Sequence, residues 1–194
     1  MVYATQYDTP SPAVNVWSVQ SGVMTPIPIT FTNMNGVDDG PRTIAIDGAG
    51  VLYFTVNDWR NSMVTYDTVT GTAGTFSTIP AGYTVCPAAM GDNGPMQYLM
   101  SVAVDQWGNI FVQEDECQQV IEIKPDGSYV VTSIPGNQSI VGVDANDNIF
   151  LTGGNTSIVE TVSGGTPSTI YSGVNNGYGE AIVIDAADTL YITG

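Results

Sequence analysis

The stretch Val102–Ser128, VAVDQWGNIFVQEDECQQVIEIKPDGS, decides the fold. It opens on apolar residues that run into Asp105, turns over Gln106, Trp107, Gly108 and Asn109, and re-enters an apolar run at Ile110. A carboxylate followed by small polar residues and a glycine is hairpin chemistry, because the side-chain oxygen accepts backbone amides just ahead of it and glycine supplies the positive φ. Past Cys117 the run VIEIK alternates apolar and polar residues, as a half-buried antiparallel strand requires, and PDG turns the chain again. SYVVTSIP then supplies a further strand.

Working outward, the same Asp-centred unit recurs as IAIDGAGVLYFT, VGVDANDNIFLT and IVIDAADTLYIT. The turn aspartates Asp47, Asp105, Asp144 and Asp185 stand 58, 39 and 41 positions apart. A four-stranded unit that recurs about every 40 residues marks the blades of a propeller. The predicted fold is therefore all-β, a β-propeller of four-stranded antiparallel blades with about four blades' worth of repeats in an incomplete or permuted ring. With the strands of a blade labelled A to D, residues 1–35 read as a partial blade (B to D), 41–80, 101–136 and 139–173 as blades, 81–100 as an insertion, and 180–194 as a partial blade (A and B), all in one domain over 1–194. Partial blades at both ends predict open strand edges, and with them a homo-oligomer: a subunit of a larger ring or fibre.

The unit apolar-x-apolar-Asp-x-x-Gly-Asn-apolar-aromatic resembles the NHL-repeat family of β-propellers and the related streptogramin lyase-like propellers. Asp105, Gly108 and Asn109 match the motif in full; Asp47 keeps Gly50; Asp144 keeps Asn148 but has Asp147 at the glycine position; Asp185 has Asp188 and Thr189. The resemblance implies the fold and that these four aspartates are structural turn residues. It does not carry over an activity, because the lyases of this kind rely on histidines and this chain has none.

Charge narrows the partners. Three basic side chains against 19 acidic ones give a net −16, which repels phosphate backbones and anionic headgroups, so neither nucleic acid nor membrane is expected. No apolar run approaches the roughly 20 residues of a membrane span. Richness in Ser, Thr, Gly and Asn with a single lysine points to an extracellular or periplasmic protein, its export signal absent from this chain. Cys86 and Cys117, both in predicted loops, form a disulfide on one reading and pack as small hydrophobic thiols on the other; the loop placement favours the disulfide.

Without histidine there is no Ser-His-Asp or Cys-His arrangement, and two cysteines cannot complete a thiolate zinc site. No catalytic residue is assigned. Oxygen-bearing side chains after the second strand of successive units, the carboxamide of Asn57 and the carboxylates of Asp58, Glu114 and Asp115, are the candidates for a calcium ion, which takes six to eight oxygens. Trp59, Arg60 and Trp107, with Glu114 and Asp115, are the candidate binding residues, since an indole in a loop offers a stacking face to a carbohydrate or protein ligand. The expected function is a non-enzymatic structural or binding module. The alternative is a calcium-dependent hydrolase or lyase of the lactonase-like propeller type.

Overall fold

The computed structural model describes residues 2–5, 16–29, 31, 41–56, 62–77, 99–114, 117–135, 138–153, 157–172, 181–185, 187 and 189–193. These residues build five antiparallel sheets. Sheet I holds β1 (Val2–Thr5), β2 (Val16–Gln20) and β3 (Val23–Pro26). Sheet II holds β4 (Pro41–Ile46), β5 (Val51–Val56), β6 (Ser62–Asp67) and β7 (Thr72–Ser77). Sheet III holds β8 (Leu99–Val104), β9 (Ile110–Glu114), β10 (Gln119–Ile123) and β11 (Tyr129–Ser133). Sheet IV holds β12 (Gln138–Val143), β13 (Asn148–Gly153), β14 (Ser157–Val162) and β15 (Ser168–Ser172), and sheet V holds β16 (Ala181–Ile184) and β17 (Leu190–Thr193).

Within every sheet the strands pair in chain order. Between sheets, first strand lies against first strand: β4 touches β8, β8 touches β12, and β12 touches β16. Sheets that meet along their first strands fan outward, which is the blade arrangement the repeat predicts. At the last of these contacts the Ile182 side chain packs directly on the Gly142 backbone, for a Cβ on Gly142 would stand 2.7 Å from Ile182 Cγ2. β8 begins at Leu99, inside the segment read as an insertion. In sheet I the fourth strand of the unit stops at Pro26, because Pro28 has no amide to continue a ladder. The alternation nevertheless persists beyond it, with Ile27, Ile29 and Phe31 buried.

One hairpin design opens four of the sheets. Oδ1 of Asp47 accepts the amides of Ala49 (3.0 Å) and Val51 (2.8 Å), and Oδ1 of Asp105 those of Trp107 (2.8 Å) and Asn109 (2.9 Å). Asp144 does the same with Asn146 and Asn148 at 2.8 Å each, and Asp185 with Ala187 (2.9 Å) and Thr189 (3.0 Å). These amide bonds hold the exposed Asp185 carboxyl below the usual carboxylate range, Thr189 contributing most and Ala187 next.

The second carboxylate oxygen is satisfied in two ways. Where the turn ends in asparagine, its amide donates: Asn109 to Asp105 at 2.6 Å and Asn148 to Asp144 at 2.7 Å. Where it does not, a tyrosine on the following strand reaches back, Tyr53 to Asp47 and Tyr191 to Asp185, both at 3.1 Å. Burial, then the Asp47 charge and this hydrogen bond, push the Tyr53 hydroxyl up to about 12.

The core is divided among the seams between sheets. Between I and II lie Val16, Ile27, Ile29, Phe31, Leu52 and Phe54, with Phe31 set edge-on to Phe54 at 5.3 Å. Between II and III lie Tyr53, Met63, Leu99, Val102, Val112 and Ile121. Phe111, Val120, Ile134, Ile149 and Leu151 fill the seam between III and IV. Each fully buried side chain of this size contributes about 1.5–3 kcal/mol.

Candidate functional site

Equivalent positions across the sheets follow from the register. In the second strand of each unit an apolar-aromatic pair recurs, and the third strand places a residue opposite the aromatic one: Ser18 opposite Tyr3, Thr65 opposite Tyr53, Glu122 opposite Phe111, Glu160 opposite Phe150. Residues directly opposite each other in an antiparallel pair share a face. That face looks toward the next sheet, since Tyr53 packs into the II–III seam and Phe111 into the III–IV seam.

In the I–II seam this position opens into a cleft of about 220 Å³. One wall is the row Tyr3, Ser18 and Thr25, which lie opposite one another on β1, β2 and β3. Pro26, Ile27 and Pro28 line it where the chain leaves β3. The other wall comes from sheet II, Tyr66 at the end of β6 and Thr68 in the turn that follows. That turn is rigid: Thr68 Oγ1 donates to the Gly50 carbonyl at 2.7 Å, and Asp67 accepts the amides of Val69 (2.8 Å) and Thr70 (3.1 Å). No lining residue carries a charge at neutral pH. The cleft therefore offers two aromatic rings, three aliphatic hydroxyls and two prolines that donate no amide bond.

The III–IV seam fills the same position with carboxylates. Glu122 accepts a hydrogen bond from Ser163, in the turn between β14 and β15, and Lys124 Nζ stands 3.8 Å from its other oxygen. The neighbouring Gly164 amide donates to Thr132 Oγ1 at 2.7 Å. Closer to the first strands, the two Asp hairpins touch, with Gln106 Nε2 donating to the Ala145 carbonyl at 3.1 Å. Asp105 and Asp144 are buried, and the Asp147 carboxyl is pushed up to about 6 by burial, by its hydrogen bond to and the charge of Asp105, and by Glu122 and Asp144.

Of the residues singled out from sequence, Trp107 sits in the sheet III hairpin with 54% of its surface exposed, so its indole is presented to solvent. Glu114 is wholly buried at the end of β9 instead of lying in a solvated loop, and its Oε2 accepts the Cys117 amide at 2.8 Å. Its role in the structure is to cap that turn. Asn57, Asp58, Trp59, Arg60, Cys86 and Asp115 lie outside the described residues. Among the described residues no group of three or more Asp, Glu, Cys or His side chains stands close enough to hold a metal. The cleft was missed by sequence reading because its two walls are contributed by residues whose motif positions look like ordinary strand alternation.

No family model matches this chain, and no curated protein matches it. Solved structures do. The fold is that of a β-propeller. A streptogramin B lyase superposes with a TM-score of 0.58 at 20% identity, over 79% of this chain and 47% of that one. Virginiamycin B lyase from Staphylococcus aureus gives 0.58 at 15% identity, over 98% of this chain and 67% of the other. YCF48 bound to the D1 peptide gives 0.59 at 9% identity, over 92% and 55%. The chain thus spans about half the length of the first of these lyases. At such identities the shared property is the fold.

Proposed function

We propose that this chain is a non-enzymatic binding module that receives an uncharged, extended segment of a partner protein in the I–II cleft. The observation that carries the proposal is the contrast in chemistry at one repeated position: hydroxyls and aromatic rings around open space in the I–II seam, carboxylates and their donors in the III–IV seam. Paired tyrosines beside prolines suit a polyproline-type segment, whose rings stack on aromatic faces and whose backbone asks for few hydrogen bonds. In a chain of net charge −16, an uncharged cleft favours neutral over acidic ligands. YCF48, which holds the D1 peptide, is a propeller of similar fold with a peptide partner. The test is an amide-resonance titration with a panel of neutral proline-rich peptides. Shifts concentrated at Tyr3, Ser18, Tyr66 and Thr68 are expected; shifts elsewhere only, or none with any peptide, would contradict the reading.

Pairing of Cys86 with Cys117, and with it an oxidising extracellular or periplasmic setting, is favoured by the loop placement of both cysteines in the sequence. Alkylation before reduction should then label no thiol. The second reading, a calcium-dependent hydrolase or lyase, draws on the likeness to lyase propellers. Melting curves with calcium and with EDTA decide it, since a bound ion raises the melting temperature by mass action.

A further inference from the structure

We infer that the seam between sheets III and IV is a proton-operated latch, in which a proton held between Asp147 and Asp105 closes two neighbouring hairpins in mild acid and its loss loosens them at neutral pH. The geometry comes first. Asp105 belongs to the sheet III hairpin, Asp144 and Asp147 to the sheet IV hairpin, and Glu122 to β10; the hairpins touch where Gln106 Nε2 donates to the Ala145 carbonyl at 3.1 Å, so three elements bring four carboxyl groups to one seam. Asp105, Asp144 and Glu122 are 7%, 6% and 4% exposed, which denies them most of the water that would screen their repulsion. Lys124 reaches this group at Glu122, with Nζ 3.8 Å from its Oε1.

Asp147 is the odd member. Its Oδ1 is buried and meets no donor. A carboxylate accepts and cannot donate, so its contact with the Asp105 side chain is a hydrogen bond only while a proton lies between them. Asp105 already accepts from the amides of Trp107 and Asn109 and from Asn109 Nδ2, which leaves Asp147 as the donor. The backbone adds a separate observation. Asp147 has φ +62°, where the equivalent Gly50 and Gly108 have +89° and +84°, a conformation that favours glycine. Turn formation alone would be better served by glycine, so the side chain is held there against a local cost.

The sign follows from the Asp147 value of about 6 against an ordinary 3.8, raised first by burial and then by Asp105. The folded chain keeps a proton that the unfolded chain has released, so the stabilisation is complete below the unfolded value and disappears as pH rises through the folded one.

The test compares melting temperature from about pH 4.5 to 7.5 for the full chain, Asp147→Asn and Asp147→Gly. Every carboxyl of this acidic chain contributes to the trend, so the informative quantity is the difference between curves. Asparagine donates to Asp105 at every pH, and glycine removes the group while suiting the backbone. The wild-type curve should fall by a few degrees relative to both variants, with a midpoint near pH 6. Exchange of the Gly108 and Asp147 amides, which close the two hairpins on the carbonyls of Asp105 and Asp144, should speed up over the same interval once intrinsic rates are removed, and the Gly50 amide of sheet II should not. Parallel curves for all three proteins, or an Asp147 carboxyl resonance that titrates with its midpoint near 4, would overturn the latch.

Discussion

The I–II and III–IV seams are two copies of one joint with opposite contents. Both pack an aromatic second-strand residue against the next sheet, and both bring the following sheet's third-to-fourth-strand turn over the same third-strand position. In the first joint that position is Ser18 and the space above it stays open; in the other it is Glu122, and Ser163 covers it. The scaffold is thus set by apolar and turn positions, while the residue opposite the aromatic is left to specify what each seam does. Repetition of fold with variation of one position lets a single architecture hold an open, uncharged cleft at one joint and a buried carboxylate at another.

The comparison is broken most forcefully in the shared core. Phe54→Ala in the I–II seam and Phe111→Ala in the III–IV seam, both wholly buried, should each cost about 3–5 kcal/mol in urea unfolding. A loss under about 1 kcal/mol in either would mean that the two joints are not equivalent. The axial contact comes next: Gly142→Ala forces a methyl against Ile182 Cγ2, and should cost about 1–3 kcal/mol, whereas Gly22→Ala, which meets nothing within 4 Å, costs only its positive φ. Tyr53→Phe removes the bond to Asp47 and should cost about 1 kcal/mol. The wild-type hydroxyl, raised to about 12, contributes stability that is complete below pH 10 and lost as pH climbs toward its folded value, a window in which the wild-type curve should fall relative to that of the phenylalanine variant. The smallest expected change is a gain: at neutral pH, Asp147→Gly relieves the positive φ and removes a crowded carboxylate, for about 0.5 kcal/mol net of the extra chain entropy of glycine.

Much of the fold was legible in the sequence because its decisive signals are local. The Asp hairpin is written within a few residues, and the strand alternation within ten or so, so blades and their order could be read directly. The exchange of Asn for Tyr is written in the same units but takes its meaning from the bonds: units with Asn109 and Asn148 carry Phe111 and Phe150, and those without it carry Tyr53 and Tyr191. The cleft was not legible. Tyr3, Ser18, Tyr66 and Thr68 meet across sheets, and each alone is an unremarked residue of a strand or turn. Likewise Glu122 reads as the polar member of VIEIK until Ser163, 41 residues later, is seen to bind it. Glu114 reads as a loop ligand by its acidic neighbours, and only the structure shows it buried at a strand end and accepting the Cys117 amide.

The most direct test transplants one seam's chemistry into the other. Ser18→Glu places in the I–II seam the carboxylate that the III–IV seam carries at the same position. The dissociation constant for a neutral proline-rich peptide that binds the wild-type chain should rise at least about tenfold, equal to about 1.4 kcal/mol, with the melting temperature little changed. An unchanged constant in a folded Ser18→Glu protein would contradict the assignment of the cleft as the binding site.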